Sequence, residues 1–181
     1  MNKFGIENVS VCAKCKGKCC KSMPGIAEPS EFMAGNDRST MATKLVEAFC
    51  SGTWAVDWWD GDIEADHELS LIYYIRPRTK GVSVLLDGSW GGEYINLTDV
   101  GCTLPFERRP YECRTLEPSE NYPHCKRLPG SHGKQDLVRL WRDYQDEVRS
   151  AIVRFDRLAP AKPDAATYES LPDHINCRCA I

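Results

Sequence analysis

Four cysteines fall within nine positions near the start of the chain, in the order Cys12-x2-Cys15-x3-Cys19-Cys20. Ordinary packing does not explain this density, whereas a soft metal ion or an iron-sulfur cluster needs thiolates that converge from one side. Gly17 allows a tight turn between them. The interleaved lysines partly offset the negative charge of four thiolates; they are Lys14, Lys16 and Lys18. The spacing therefore predicts a metal-binding knuckle, the name used below for residues 11–20.

Three further thiols lie far along the chain at predicted turns. Cys102 follows Gly101, Cys113 follows an Arg-Pro pair, and Cys125 comes after a proline-containing loop. We expect them to be distal ligands for the knuckle. Arginines lie beside them and could donate hydrogen bonds to sulfur or could be ordinary surface charges, and both interpretations stay open; they are Arg108, Arg109 and Arg114.

Other uses of the cysteines are less consistent with the sequence. Ten cysteines is an even number, as in a disulfide framework, but 181 residues exceed the small secreted scaffolds that depend on disulfides, and residues 1–7 lack the apolar core of a signal peptide. A thioredoxin-like pair does not explain the Cys19-Cys20 doublet. Buried structural cysteines are disfavoured by the lysines between them. Cys50 stands apart and is interpreted as a buried packing thiol.

Composition and charge indicate an ordinary globular chain. Hydrophobic residues make up 42% and charged residues 27%, with a net charge of −3, so we expect no nucleic-acid partner. No apolar run approaches the ~18 residues of a membrane span. We therefore expect a cytoplasmic protein without a membrane partner, where thiols stay reduced. The predicted organisation is one metal-binding domain over 1–158 and an extended tail over 159–181.

Periodicity predicts the elements that position these thiols. A helix capped by Ser39 carries an apolar stripe of Met41, Leu45, Val46 and Phe49. Strands are predicted over 53–59 and 69–75, with a third over 82–86. A long amphipathic helix runs from Ser131 until Pro160 stops it, and its apolar face could dock on its own domain or on a protein partner. The predicted fold class is α+β, a small irregular single domain with short strands and one long C-terminal amphipathic helix, in which a bound metal cross-links distant segments.

These pieces together resemble the zinc- or iron-chelating cysteine-cluster family, often called YkgJ-like. The matching residues span roughly 11 to 128, about two-thirds of the chain. They are the knuckle, Tyr74-Ile-Arg-Pro77, Asn96-Leu-Thr-Asp-x-Gly101-Cys102-x-Leu104-Pro105 and Arg109-Pro110-x2-Cys113-Arg114-x-Leu116, followed by Cys125. The resemblance implies a metal site built by these cysteines. It does not imply a defined activity, although one related group resembles flagellin lysine methylases.

One position departs from the family pattern. The family usually has a further cysteine eight residues before Cys102, where this chain has Tyr94. Either the site has one thiolate fewer, or Cys125 or the tail replaces it. The tail, His174-x2-Cys177-x-Cys179, is similar to the endings of some phage head-morphogenesis proteins. Its three donors could complete a site with His124 or Cys125, or could belong to a flexible terminus.

The leading prediction is a metal-binding protein whose centre staples the fold. The candidate ligands are Cys12, Cys15, Cys19, Cys20, Cys102, Cys113 and Cys125. A [4Fe-4S] cluster is favoured slightly over zinc because no histidine falls within the matched motifs. The alternatives are a structural or assembly component, such as a virion protein, and a redox or methyl-transfer enzyme. No nucleotide loop or catalytic carboxylate pair supports an enzyme.

Overall fold

The structure is a computed structural model that describes residues 4–5, 8–17, 21, 25–61, 70–89, 92–119 and 125–158. It combines helices with small antiparallel strand pairs, which confirms the predicted α+β class and the C-terminal helical region. The helices are α1 Val9–Cys15, α2 Met41–Cys50, α3 Tyr111–Arg114, α4 Lys134–Trp141 and α5 Gln145–Leu158. The strands are β1 Trp54–Gly61, β2 Ser70–Pro77, β3 Leu97–Thr98, β4 Gly101–Cys102, β5 Leu116–Glu117 and β6 Lys126–Arg127.

Strands β1 and β2 form the main hairpin, with Trp54 opposite Pro77 and Gly61 opposite Ser70. Both predicted strands are confirmed, and Pro77 lies at the end where its missing N–H costs no ladder bond. The predicted strand over 82–86 is wrong. Only one bridge forms there, in which the Val56 N–H donates to Leu85 O and the Asp87 N–H donates to Val56 O, each at 2.9 Å. The bridge ends because Asp87 turns into the core to bind Arg76.

The hydrophobic core lies between this hairpin and helices α2, α4 and α5. The predicted stripe of α2 is buried, and α2 packs against α5. Trp141 of α4 is fully buried, and its indole N–H donates to Ala27 O at 2.8 Å. Among the described residues, no helix is long and apolar enough to cross a bilayer.

Two helix boundaries differ from the sequence prediction. A short 3₁₀ turn, Arg38–Thr40, precedes α2, and its cap is Asp37, whose carboxylate accepts the Ser39 N–H at 2.9 Å. The predicted long C-terminal helix is divided by another 3₁₀ turn, Arg142–Tyr144. The division lets Trp141 and Gln145 reach different backbone partners in the core, Ala27 and Tyr73. The predicted tail lies outside the described residues.

Candidate metal centre

The first half of the knuckle folds as helix α1. The Asn8 side chain caps it by accepting the Val11 N–H at 3.1 Å. Cys12 and Cys15 are three residues apart and therefore lie on the same face, and both are half-buried. The helix ends at Lys16 and Gly17, which have φ of 53° and 64°, so the backbone turns in the left-handed region there. Lys14 and Lys16 are exposed, as charge-compensating lysines would be.

The end of α1 lies against the hairpin that carries Cys102. Leu97 of β3 pairs with Cys102 of β4, and α1 contacts β4. The Leu97 side chain fills the space that a Cβ at Gly17 would occupy, and the left-handed φ of 64° at this residue also favours glycine. The elements that carry Cys12, Cys15 and Cys102 are thus neighbours, although nearly ninety residues separate them in the chain.

The chain after the knuckle is also held at this hairpin. The Lys21 N–H donates to Gly17 O at 3.1 Å, and the Lys21 ammonium lies 3.5 Å from the Glu93 carboxylate. Lys80 binds the same carboxylate at 3.1 Å. Cys19 and Cys20 lie between Gly17 and Lys21 in the chain but outside the described residues. Both described flanks of that doublet therefore contact the segment 93–97.

Tyr94 is the residue of this segment that touches a candidate ligand. Its side chain is buried, and its hydroxyl is hydrogen-bonded to the Cys102 Sγ. Its backbone is fixed by an antiparallel bridge to Thr79 and by the neighbouring Ile95 N–H, which donates to Arg78 O at 2.8 Å. The position at which the resemblance implies a cysteine is therefore occupied by a phenol in contact with a thiol.

Cys113 lies in α3, against the segment that follows the knuckle. A Cβ at Gly25 would lie 2.5 Å from the Cys113 Sγ and 3.2 Å from its backbone N. The Ile26 N–H donates to the Glu112 carboxylate at 3.0 Å, and the Glu112 N–H donates to Ile26 O at 3.2 Å. These bonds hold Cys113 against Gly25 and Ile26, which follow the Cys19-Cys20 doublet by five to six residues in the chain.

Glu31 strengthens the same junction. Its carboxylate accepts the Tyr111 N–H at 3.0 Å and binds the Arg114 guanidinium. Burial raises the pKa of Glu31 above its ordinary value, although the charge of Arg114 acts in the opposite direction. The Arg114 guanidinium also lies 4.0 Å from the centre of the Phe4 ring. Its carboxylate partner is therefore Glu31, so Arg114 is not a free surface charge.

The last two cysteines that the structure describes, Cys125 and Cys50, lie in different surroundings. Cys125 directly precedes β6, which pairs with β5, and the Leu128 N–H donates to Thr115 O at 2.9 Å. Cys125 is thereby linked to the chain just after Cys113. Cys50 ends α2 and packs against the hydrophobic core, as predicted for a packing thiol, although it is only partly buried.

Comparison with known proteins does not assign this chain to a family. No protein-family model, curated protein or solved structure matches this chain. The resemblance to the cysteine-cluster family stays a prediction that depends on the motifs quoted above.

The described residues fit a thiolate centre in chemistry but do not assemble one by themselves. Within the described ranges, no group of three or more His, Cys, Asp or Glu side chains is placed to hold a metal ion, and no disulfide joins two of the described cysteines. Four buried side-chain donors have no acceptor in the part of the chain described: Trp59 Nε1, Arg78 Nε, Asn96 Nδ2 and Arg114 Nε. The last two lie on or next to cysteine-bearing elements, where sulfur could accept them.

Sequence reasoning missed the residues that hold the thiol-bearing segments together. Gly25, Glu31 and Glu112 belong to no spacing motif, and their partners lie about eighty residues away. The only available signal was the proximity of Gly25 to the knuckle in the chain. Tyr94 was recognised as a departure from the family pattern, but its contact with Cys102 could not be read from the sequence.

Proposed function

We propose that this chain binds an iron-sulfur cluster or zinc through its clustered cysteines, and that the centre joins distant segments of the fold. The proposed ligands come from the seven candidates, of which the knuckle supplies one group and the distal segments the other. They are Cys12, Cys15, Cys19, Cys20, Cys102, Cys113 and Cys125.

The observation that most supports this proposal is the contact of α1 with the β3–β4 hairpin, which carries Cys102. Closing the loop of nearly ninety residues between Cys15 and Cys102 costs conformational entropy. Val11, Tyr94 and Leu97 are buried here but stand outside the main hydrophobic cluster, so little apolar burial offsets that cost. A bound metal supplies cross-links between segments, and a structural zinc site contributes roughly 10–16 kcal/mol of apparent binding free energy.

The donor set favours sulfur-rich chemistry. The candidates are all thiols, which suit both an iron-sulfur cluster and a four-cysteine zinc site. Because no histidine lies within the motifs, the [4Fe-4S] form is the first choice. The buried N–H donors Arg114 Nε and Asn96 Nδ2 suit either, since hydrogen bonds to sulfur stabilise metal-bound thiolates.

The test is metal analysis of the whole chain purified without oxygen. We expect stoichiometric iron with inorganic sulfide and a broad visible absorption band, or stoichiometric zinc in a colourless sample. Cys15→Ala and Cys113→Ala should lose most of this metal. Cys50→Ala is the matched control, because Cys50 packs on the core, and it should retain the metal.

Two results would overturn the proposal. One is wild-type protein that purifies without stoichiometric metal under these conditions. The other is an unchanged metal content in both Cys15→Ala and Cys113→Ala.

A further inference from the structure

Tyr94 is a buried and well-fixed side chain that carries a polar group which packing does not need. It is 1% exposed, its backbone is held on both sides by bonds to the extension of β2, and its hydroxyl meets the sulfur of Cys102. A phenylalanine would fill the same space without the cost of burying a hydroxyl. The hydroxyl is therefore the feature that requires an explanation.

We propose that Tyr94 positions the Cys102 sulfur in the metal centre by donating a hydrogen bond to it. This inference depends on the proposed function. A metal-bound thiolate has no proton and can only accept, so the phenol must be the donor in the loaded protein. Hydrogen bonds of this kind fix the direction of a ligand and reduce the charge that the sulfur carries.

The surrounding contacts make Tyr94 suited to this role. The Glu93 side chain binds Lys21, which directly follows the Cys19-Cys20 doublet, and also binds Lys80 next to the bridge partner Thr79. The Leu97 N–H donates to Tyr94 O at 2.9 Å, so the residue that pairs with Cys102 is tied to Tyr94 as well. One short segment thus connects the knuckle, the phenol and the Cys102 thiol.

A phenol also differs from the cysteine that the family pattern would place at 94. The aromatic ring carries the hydroxyl several bonds farther from the backbone than a cysteine carries its sulfur. The Tyr94 oxygen reaches the Cys102 sulfur itself, which is the position of a donor to a ligand. We therefore infer a centre with one thiolate fewer, in which Tyr94 supports Cys102.

The experiment compares Tyr94→Phe with wild type in two measurements on anaerobically purified protein. The first is metal per chain, and the second is the rate at which an excess of a coloured chelator removes that metal. We expect Tyr94→Phe to hold the wild-type amount of metal but to lose it about 10–100-fold faster, the usual effect of removing a hydrogen bond to a ligand.

Two further variants separate positioning from general stability. Tyr74→Phe is the matched control, because Tyr74 is equally buried but lies in β2 among core residues, and its metal-release rate should equal that of wild type. Site-specific 3-fluorotyrosine at 94 keeps the shape and makes the hydroxyl a stronger donor. It should slow metal release, which loss of folding stability cannot produce.

The outcomes distinguish this inference from the proposed function. If wild-type protein holds no metal, the proposed function fails and the inference fails with it. If wild type holds metal but Tyr94→Phe releases it at the wild-type rate, only the inference fails. A reduced metal content in well-folded Tyr94→Phe would make the phenol a ligand and would equally overturn the positioning role.

Discussion

Arg76 is a buried cation near the end of β2, with a side chain 2% exposed. Its guanidinium binds the Asp57 carboxylate at 2.7 Å and the Asp87 carboxylate at 3.1 Å, and it donates to the carbonyl oxygen of Pro77 at 3.0 Å. Arg76 and Pro77, which belong to the motifs that resemble the cysteine-cluster family, therefore have a structural role here. It fixes the end of β2 to the loop that follows.

The first prediction concerns the loss of this cation. Arg76→Met should lower the free energy of unfolding by roughly 3–5 kcal/mol, because it leaves two buried carboxylates without their partner. Urea denaturation followed by tryptophan fluorescence measures the change. Lys44→Gln, which breaks the exposed pair with Glu47, is the control and should change stability by less than about 1 kcal/mol. Equal effects of the two substitutions would contradict the assigned role.

The second prediction concerns acid. Burial alone would raise the pKa of Asp87, but hydrogen bonds from Ser89 and the charge of Arg76 outweigh it and leave that pKa below its ordinary value. The stabilisation is therefore present above the unfolded pKa of about 3.9 and is lost as the pH falls through the folded one. Wild-type protein should therefore lose stability to urea as the pH falls below about 5.

The matched variant for this pH dependence is Asp87→Asn. It cannot titrate, so its stability at neutral pH should be lower and its further loss towards acid smaller than in wild type. Parallel pH curves for the two proteins would show that Asp87 does not carry the effect. Glu147, whose pKa is lowered by its hydrogen bond with Arg38, contributes equally to both curves and cancels in the comparison.

At the scale of elements, the junction of α4 and α5 is organised by one amide side chain. Gln145 donates to Tyr73 O at 2.9 Å and to Trp141 O at 2.8 Å, and its oxygen accepts the Tyr73 N–H at 2.9 Å. On the outer side of β2, the Gln145 amide makes the two backbone hydrogen bonds with Tyr73 that a neighbouring strand would otherwise make. It also satisfies a carbonyl at the point where the two helices meet.

The third prediction follows from these bonds. Gln145→Leu should cost about 1–3 kcal/mol, since it leaves the Tyr73 backbone groups without their partner in a partly buried position. Thermal and urea unfolding measure this cost. The control is Gln135→Leu in α4, whose side chain is exposed, and it should be close to neutral. A neutral Gln145→Leu would show that water replaces the amide.

These elements also show what sequence could and could not predict. Alternation and apolar stripes predicted β1, β2 and the buried face of α2, because local period reports which face is buried. The division of the C-terminal helix at Arg142–Tyr144 was missed because it depends on hydrogen-bond partners that are distant in the chain. The cap at Asp37 was missed because its carboxylate competes with the nearby Ser39 that was predicted to cap the helix. The thiol spacing indicated a candidate site, but its convergence stays a prediction because Cys19 and Cys20 lie outside the described residues.

At the scale of the molecule, the described chain has two unequal parts. The larger part is the hydrophobic core of α2, the main hairpin and the C-terminal helices. The smaller part consists of the cysteine-bearing elements α1 and the β3–β4 hairpin, where buried Val11, Tyr94 and Leu97 stand outside that core. Stability in such a molecule is not expected to be uniform.

The fourth prediction is that metal removal loosens these two parts differently. After chelation, amides of α1 and the β3–β4 hairpin should exchange with deuterium much faster, whereas those of α2 and β2 should keep most of their protection. Hydrogen exchange read by mass spectrometry on loaded and chelated protein measures this. Uniform deprotection would indicate that the centre supports the whole fold, and unchanged exchange would indicate that it supports none of it.

The bonds along the outer sides of the main hairpin bear on self-association. On the outer edge of β2, Gln145 bonds the Tyr73 backbone and the Ala27 N–H donates to Ile75 O at 3.0 Å. On the outer edge of β1, residues 85–87 bond the Val56 backbone. Exposed strand edges recruit strands from other copies and seed aggregation. At these positions the chain covers its own edges, so fibre growth by strand addition is blocked there by intramolecular bonds.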